Sequence, residues 1–279
     1  MSIFDQFLFD PRGTLLILLI ALPGRLLAIS AHEAAHGWVA DRCGDPTARL
    51  MGRVTLNPLK HFDVVGTLCM LVFGFGWAKP VPVNPLNFRN YRRDDLKVAL
   101  AGVTMNLTLF LSGCVILYAM IGLALAQIPF AENAMYASQD LLRFNVDGVA
   151  ALGVGNGWYS VADLLQYPWV CQEVLIAPVF GETARYLYQM VYYFITSNLV
   201  LAIFNLIPIP PLDGYHVLND LILKRPLFAD QRAQVIGMVL LFVFVSADVF
   251  SSLYTGAMNG VLGVLGRAVL SLFQGIGLF

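Results

Sequence analysis

The chain has 279 residues, of which 58% are hydrophobic and 13% charged, with a formal net charge of −1. A soluble domain is roughly half apolar and a quarter charged, so these values exclude an ordinary soluble protein and point to an integral membrane protein. With no basic arm or stripe apart from the membrane flanks, they also exclude nucleic acid as a partner.

The first apolar segment, residues 14–40, is interrupted by Pro23-Gly24-Arg25. No small-residue cleavage site precedes residue 32, so the segment reads as a retained span and not as a removed leader. Next, ARLMGRVTLN (48–57) alternates Leu50, Gly52, Val54 and Leu56 against Arg49, Met51, Arg53 and Thr55, and period two predicts a strand. VVGTLCMLVFGFGWA (64–78) is apolar but short for a span. In KPVPVNP (79–85) the prolines confine any strand to a sheet edge. Residues 95–128 and 184–207 are long apolar helices, the second ending at Pro208, and 233–255 and 257–279 read as two further spans. The cysteines Cys43, Cys69, Cys114 and Cys171 lack CxxC spacing and read as small core residues.

Lysine and arginine set the orientation. Nine basic residues lie in 42–97 and three more in 224–232, whereas 129–183 has only Arg143 beside six acids. The first two stretches are therefore expected on the cytoplasmic side and the third outside. Both flanks of 64–78 then share a side, so this segment must dip in and return. Irregular backbone at membrane depth is tolerated only where protein or a wet cavity surrounds it.

Within the first span, HEAAH places His32 and His36 one turn apart on a helix, able to hold one metal ion, with Glu33 beside the first of them to take a proton from water. Ionisable groups are costly in a span, and their default reading is functional. A catalytic zinc takes a third protein ligand and leaves one position open. The remaining glutamates, Glu132, Glu173 and Glu182, fall on the far side, and Arg42 occupies the position six after His36 where some soluble enzymes carry a third histidine. Asp213 in NLIPIPPLDGYHVL (205–218) remains, after three prolines that break the preceding helix. His32 lies ten residues before Arg42 and Asp213 eleven before Lys224, so the two sit at matching depth.

HEAAH, GDPTARLMGRVTLNPLKHFDVVGT (44–67), FGWAKPVPVNP (75–85), AGVTMN (101–106) and NLIPIPPLDG together resemble the site-2 protease family of intramembrane zinc metalloproteases, in its compact branch without PDZ or CBS domains. The resemblance covers roughly residues 14–225. It implies one zinc ion per chain held by His32, His36 and Asp213, Glu33 as general base, and Asn106 helping to stabilise the reaction centre. AGV stands where the family usually has AGP, and Arg25 where it is usually apolar. The implied partners are a membrane-protein substrate and the lipid bilayer, in a prokaryotic inner membrane with the site toward the cytoplasm. The oligomeric state is not readable.

Several roles stay open. Asn106 reads as an amide donor to a tetrahedral oxyanion or as a buried helix–helix hydrogen bond, and Asn198 and Asn205 share that ambiguity. His61 reads as a loop cap or pair, and His216 as a support for Asp213 or a bystander. Arg25 either pairs with Asp248 or reaches into a wet vestibule. The expected fold is an all-α polytopic membrane protein with about five to six transmembrane helices, a re-entrant segment and a small membrane-associated β-sheet on the cytoplasmic side. It forms one domain over 1–279, its C-terminal helices in 233–279. An extended substrate would add to that sheet's edge. The competing functions are a non-proteolytic metal-binding membrane protein and a transporter with a broken-helix ion site.

Overall fold

The computed structural model describes residues 7–73, 78–129, 142–146, 149–154, 157–223, 235–237, 239–241 and 248–278. The side chains of Cys69 and Asp248, and with them the expected Arg25–Asp248 pair, lie outside what it describes. In chain order the elements are α1 (Pro11–Cys43), α2 (Thr47–Leu50), α3 (Val64–Phe73), α4 (Tyr91–Gln127), β1 (Leu142–Val146), β2 (Val149–Val154), β3 (Gly157–Ser160), α5 (Val161–Gln166), α6 (Ala177–Phe180), α7 (Glu182–Asn205), α8 (Asp213–Leu218) and α9 (Asp248–Gly275).

Among the described residues, four helices are long and apolar enough to cross a bilayer: α1, α4, α7 and Phe250–Gly275 of α9. They make this an integral membrane protein. The helix α1 begins on Asp10, whose carboxylate accepts from the amide of Gly13, and ends at Gly44 in the left-handed conformation. Pro23 does not break it. Membrane helices tolerate such residues where neighbours re-satisfy the backbone, and Gly24 brings α1 so near α7 that an added Cβ would lie 3.0 Å from the Cα of Phe194. Ala21, Ala28, Ala31 and Ala35 give α1 a buried small-residue face of the kind that packs membrane helices closely.

The chain divides into two compact units, Met1–Leu111 with Tyr193–Tyr254, and Ser112–Tyr192 with Thr255–Phe279. The first unit contains α1, α2, α3, α8, the first part of α4 and most of α7. In the second unit β1, β2 and β3 form an antiparallel sheet in that order, with Phe144 opposite Ala151 and Leu152 opposite Tyr159. Its core includes Tyr118, Leu152, Leu165, Cys171 and Tyr188, and the Tyr118 hydroxyl lies 2.9 Å from the carbonyl of Leu165 and 3.2 Å from that of Leu262.

Three sequence expectations need correction. Residues 48–57 form no strand: α2 is helical, and the amides of Gly52 and Arg53 fold back onto the carbonyls of Arg49 and Ala48. The turn requires Gly52 at φ +63°, a conformation that only glycine adopts freely. The sheet instead lies at 142–160, in the stretch expected outside. Finally, no break separates 233–255 from 257–279, because α9 runs unbroken through Gly256. Its glycines do not stop it: at Gly266 an added Cβ would lie 3.2 Å from the backbone of Leu165, so the missing side chain lets the two segments approach.

Candidate metal centre

All of the expected site residues fall in the first unit. His32 and His36 project from one face of α1 and are buried. Their Nε2 atoms lie 3.0 Å apart, and the Asp213 Oδ2, from the first residue of α8, lies 3.2 Å from one and 3.3 Å from the other. Among the described residues this is the one group of three or more His, Cys, Asp or Glu side chains able to hold a metal ion.

The partners of the opposite ring atoms fix what faces inward. His36 Nδ1 lies 2.7 Å from the carbonyl of Val98. A carbonyl only accepts, so Nδ1 carries the proton and Nε2 a lone pair. His32 Nδ1 lies 2.6 Å from Asn106 Oδ1. The Asn106 amide is oriented by its own donations, at 3.2 Å to the carbonyl of Ala28 and 2.8 Å to Asn198 Oδ1, so its oxygen must accept from His32. Two nitrogen lone pairs and a carboxylate oxygen thus converge with no proton between them, and Asp213 Oδ2, buried, has no hydrogen-bond donor. Such a set repels itself unless a cation joins it. Its edges match the separation of about 3.3 Å between ligands of a tetrahedral ion with bonds near 2.0 Å.

Glu33 has a partner of its own. Its Oε2 accepts from the Val81 amide at 2.8 Å. Val81 belongs to the segment 78–84, held at four further points, one of them the Lys79 amide donating to the carbonyl of His61. Arg53 donates to the carbonyls of Lys79 and Pro80, and the Asn84 amide donates to Asp45. Pro80 and Pro82 have no N–H, so Val81 is the donor available at that level.

A profile of Peptidase family M50 matches residues 19–246. A Bacillus subtilis (strain 168) protein described as "Putative zinc metalloprotease YwhC" is 31% identical over 98% of this chain and 97% of its own length. The chain belongs to peptidase family M50, the site-2 protease family. No solved structure matches it.

The contacts of Asn106 bear on its two sequence readings. Both amide protons of Asn106 are taken by Ala28 and Asn198, and it meets His32 on the ring edge away from the convergent atoms. Of its two sequence readings, the contacts are those of the buried interhelical hydrogen bond. Asn198 shares that network, Asn205 bonds its own helix at Leu201, and His61 pairs with the carbonyl of Thr55. Sequence reasoning missed Gly102. It lies beneath the His32 ring, where an added Cβ would overlap Nδ1 and Cε1. The sequence signal for it was a glycine inside a strongly apolar helix, one turn before a buried asparagine.

Proposed function

We propose that the protein is an intramembrane zinc metalloprotease that hydrolyses peptide bonds within or near the membrane-spanning segments of other proteins. The observation that carries this reading is the convergence of His32 Nε2, His36 Nε2 and Asp213 Oδ2 with their lone pairs inward, the two histidines standing on a helix apolar enough to cross a bilayer. Two nitrogens and one oxygen with an open fourth side is the donor set of a catalytic zinc site. Membership of family M50, and the name of the Bacillus subtilis relative, support the choice of metal.

Zinc at this site supplies Lewis acidity, acidifying water and polarising a carbonyl. The protein's own groups do the rest. Glu33 takes the proton of the attacking water and passes it to the leaving amine, with one carboxylate oxygen held by the Val81 amide so that the other is presented. Asn106 and Val98 hold the imidazole tautomers, a task that such outer partners perform in many metal sites. The segment 79–84 beside Glu33 offers an edge along which an unwound substrate can lie, with the Val83 amide as the donor left to it once Lys79, Val81 and Asn84 have donated.

The helix α3 enters the membrane and returns on the same side. Ten residues of helix rise about 15 Å, half of a hydrocarbon core of about 30 Å, and the hydrogen bond from the Lys79 amide to the His61 carbonyl at 2.9 Å supports the closure of its two ends. The basic flanks support an orientation with the site toward the cytoplasmic face, in an inner membrane.

The deciding experiment measures zinc content and cleavage of single-span membrane proteins. Glu33→Gln should abolish cleavage and keep zinc, whereas His32→Ala, His36→Ala and Asp213→Ala should each lose zinc. Full zinc in Asp213→Ala would mean that the third ligand is another residue.

A further inference from the structure

One pair of charged groups close to the centre is not used by this reaction. His216 stands three residues after Asp213 on α8, and its Nδ1 lies 3.0 Å from the Oδ2 of Asp95, a buried carboxylate in the first turns of α4. The partners are 121 residues apart in sequence. The helix α8 continues into a π-helical turn, Asn219–Leu223, but Asp213 is its first residue and follows the irregular stretch 206–212, so the helix holds Asp213 from one side only.

The position of Asp95 gives the pair its meaning. Asp95, Val98, Gly102 and Asn106 are spaced three, four and four along α4, which puts them on one stripe of the helix. Val98 receives the proton of His36, Asn106 that of His32, and Gly102 makes room for the His32 ring. Asp95 is the fourth member of that stripe, and through His216 it reaches the element that carries the third ligand. The imidazole donates from Nδ1, the carboxylate accepts, and the short helix is fixed one turn from the carboxylate that must meet both histidines.

We infer that His216 and Asp95 are a positioning pair, and that a single stripe of α4 sets all three ligands of the metal centre. This rests on the metal-site reading above. Neither residue touches the metal or the substrate. They act on the placement of Asp213, so their loss should weaken metal binding and alter its geometry while the helices stay folded.

The test uses the purified full-length chain in detergent. Zinc retention is measured against graded chelator, and the visible absorption is measured with cobalt in place of zinc. His216→Leu and Asp95→Asn should each weaken zinc binding by about 10–100-fold, the range found for groups that orient metal ligands. Both should shift the cobalt bands, since the carboxylate then meets the ion differently. Because the two act as one unit, the double variant should be no worse than either single variant, and His216→Gln, which keeps a donor for Asp95, should recover most of the affinity. Thermal unfolding of the metal-free proteins should change little, which separates positioning from general damage. Unchanged zinc affinity and cobalt spectrum in His216→Leu would overturn the inference, as would additive losses in the double variant. If instead the wild-type chain bound no zinc, or Asp213→Ala bound it fully, the metal-site reading itself would have failed.

Discussion

Gly102 shows how much a missing side chain can matter at a reactive centre. The His32 ring occupies the space a Cβ would fill, so Gly102→Ala must move the ring or the helix. Overpacking of this kind costs about 1–3 kcal/mol, and here the displaced group is a proposed ligand. Gly102→Ala should therefore lose most of its zinc while retaining much of its helicity, as read by metal analysis and circular dichroism on one sample. A second residue-scale prediction concerns Asp45. It is fully buried and accepts from the hydroxyl and amide of Thr47, the amide of Asn84 and the side chain of Asn87. Burial raises its carboxyl, but these hydrogen bonds outweigh burial and hold it below its ordinary value. A depressed folded-state value means that the stabilisation is present above the unfolded value near pH 4 and disappears as pH falls below it. Asp45→Ala should lower stability at pH 7 by about 3 kcal/mol, and Asp45→Asn should flatten the acid limb of the stability profile. At this scale the sequence was most readable where ionisable residues interrupt apolar runs, as His32, Glu33, His36 and Asp213 do. It was silent about the carbonyl of Val98 and the amide of Val81, because every residue carries such groups and only the fold selects which of them matter.

Among the elements, long helices were legible and short ones were not. Residues 14–40 and 95–128 announced α1 and α4 by length and apolar content alone. The alternation in 48–57 misled because period two signals a strand only when one face is buried. Here Leu50 is 75% exposed, its neighbour Met51 59% and Leu56 57%, so apolar residues of both parities lie outward. Beside a membrane such exposure carries little penalty, and the alternation holds no information about a core. What the run does build is a hook. Arg53, buried, reaches across to the carbonyls of Lys79 and Pro80 and holds the segment beside Glu33. Arg53→Met should accordingly reduce cleavage while leaving zinc bound, measured as turnover per mole of bound zinc. The re-entrant reading of α3 has its own check. Cysteines at positions 60 and 79, both exposed, should label from the same side of sealed vesicles. Labelling from opposite sides would turn α3 into part of a full crossing and invert the orientation of everything after it.

At the scale of the molecule, the two compact units are interleaved in the chain, since each is built from two separate stretches. Every residue assigned to the metal centre belongs to the first, and the sheet belongs to the second. The sequence foretold a sheet but put it in the wrong half: β1, LRFNV, does alternate apolar with polar residues but is only five residues long, and β2, VAALGV, is rich in alanine and glycine and does not alternate. The separation predicts that stability and metal binding can be perturbed independently. Tyr118 in the second unit gives its hydroxyl to buried carbonyls, so Tyr118→Phe should lower thermal stability by about 1–2 kcal/mol with zinc content unchanged. A parallel loss of zinc would mean that the centre depends on the second unit after all.

The bond between Glu33 and the Val81 amide also turns the sequence KPVPVNP into an isotopic gauge. Proline has no amide hydrogen, so the stretch 79–84 contributes four exchangeable positions, at Lys79, Val81, Val83 and Asn84. Three of them are hydrogen-bonded, and the one at Val81 is held by Glu33, the proposed general base. Deuterium uptake in a peptide covering this stretch therefore follows the position of one carboxylate. When a substrate or inhibitor draws Glu33 away from Val81, that amide should begin to exchange, and the mass of a short peptide would record the engagement of the base without any cleavage taking place.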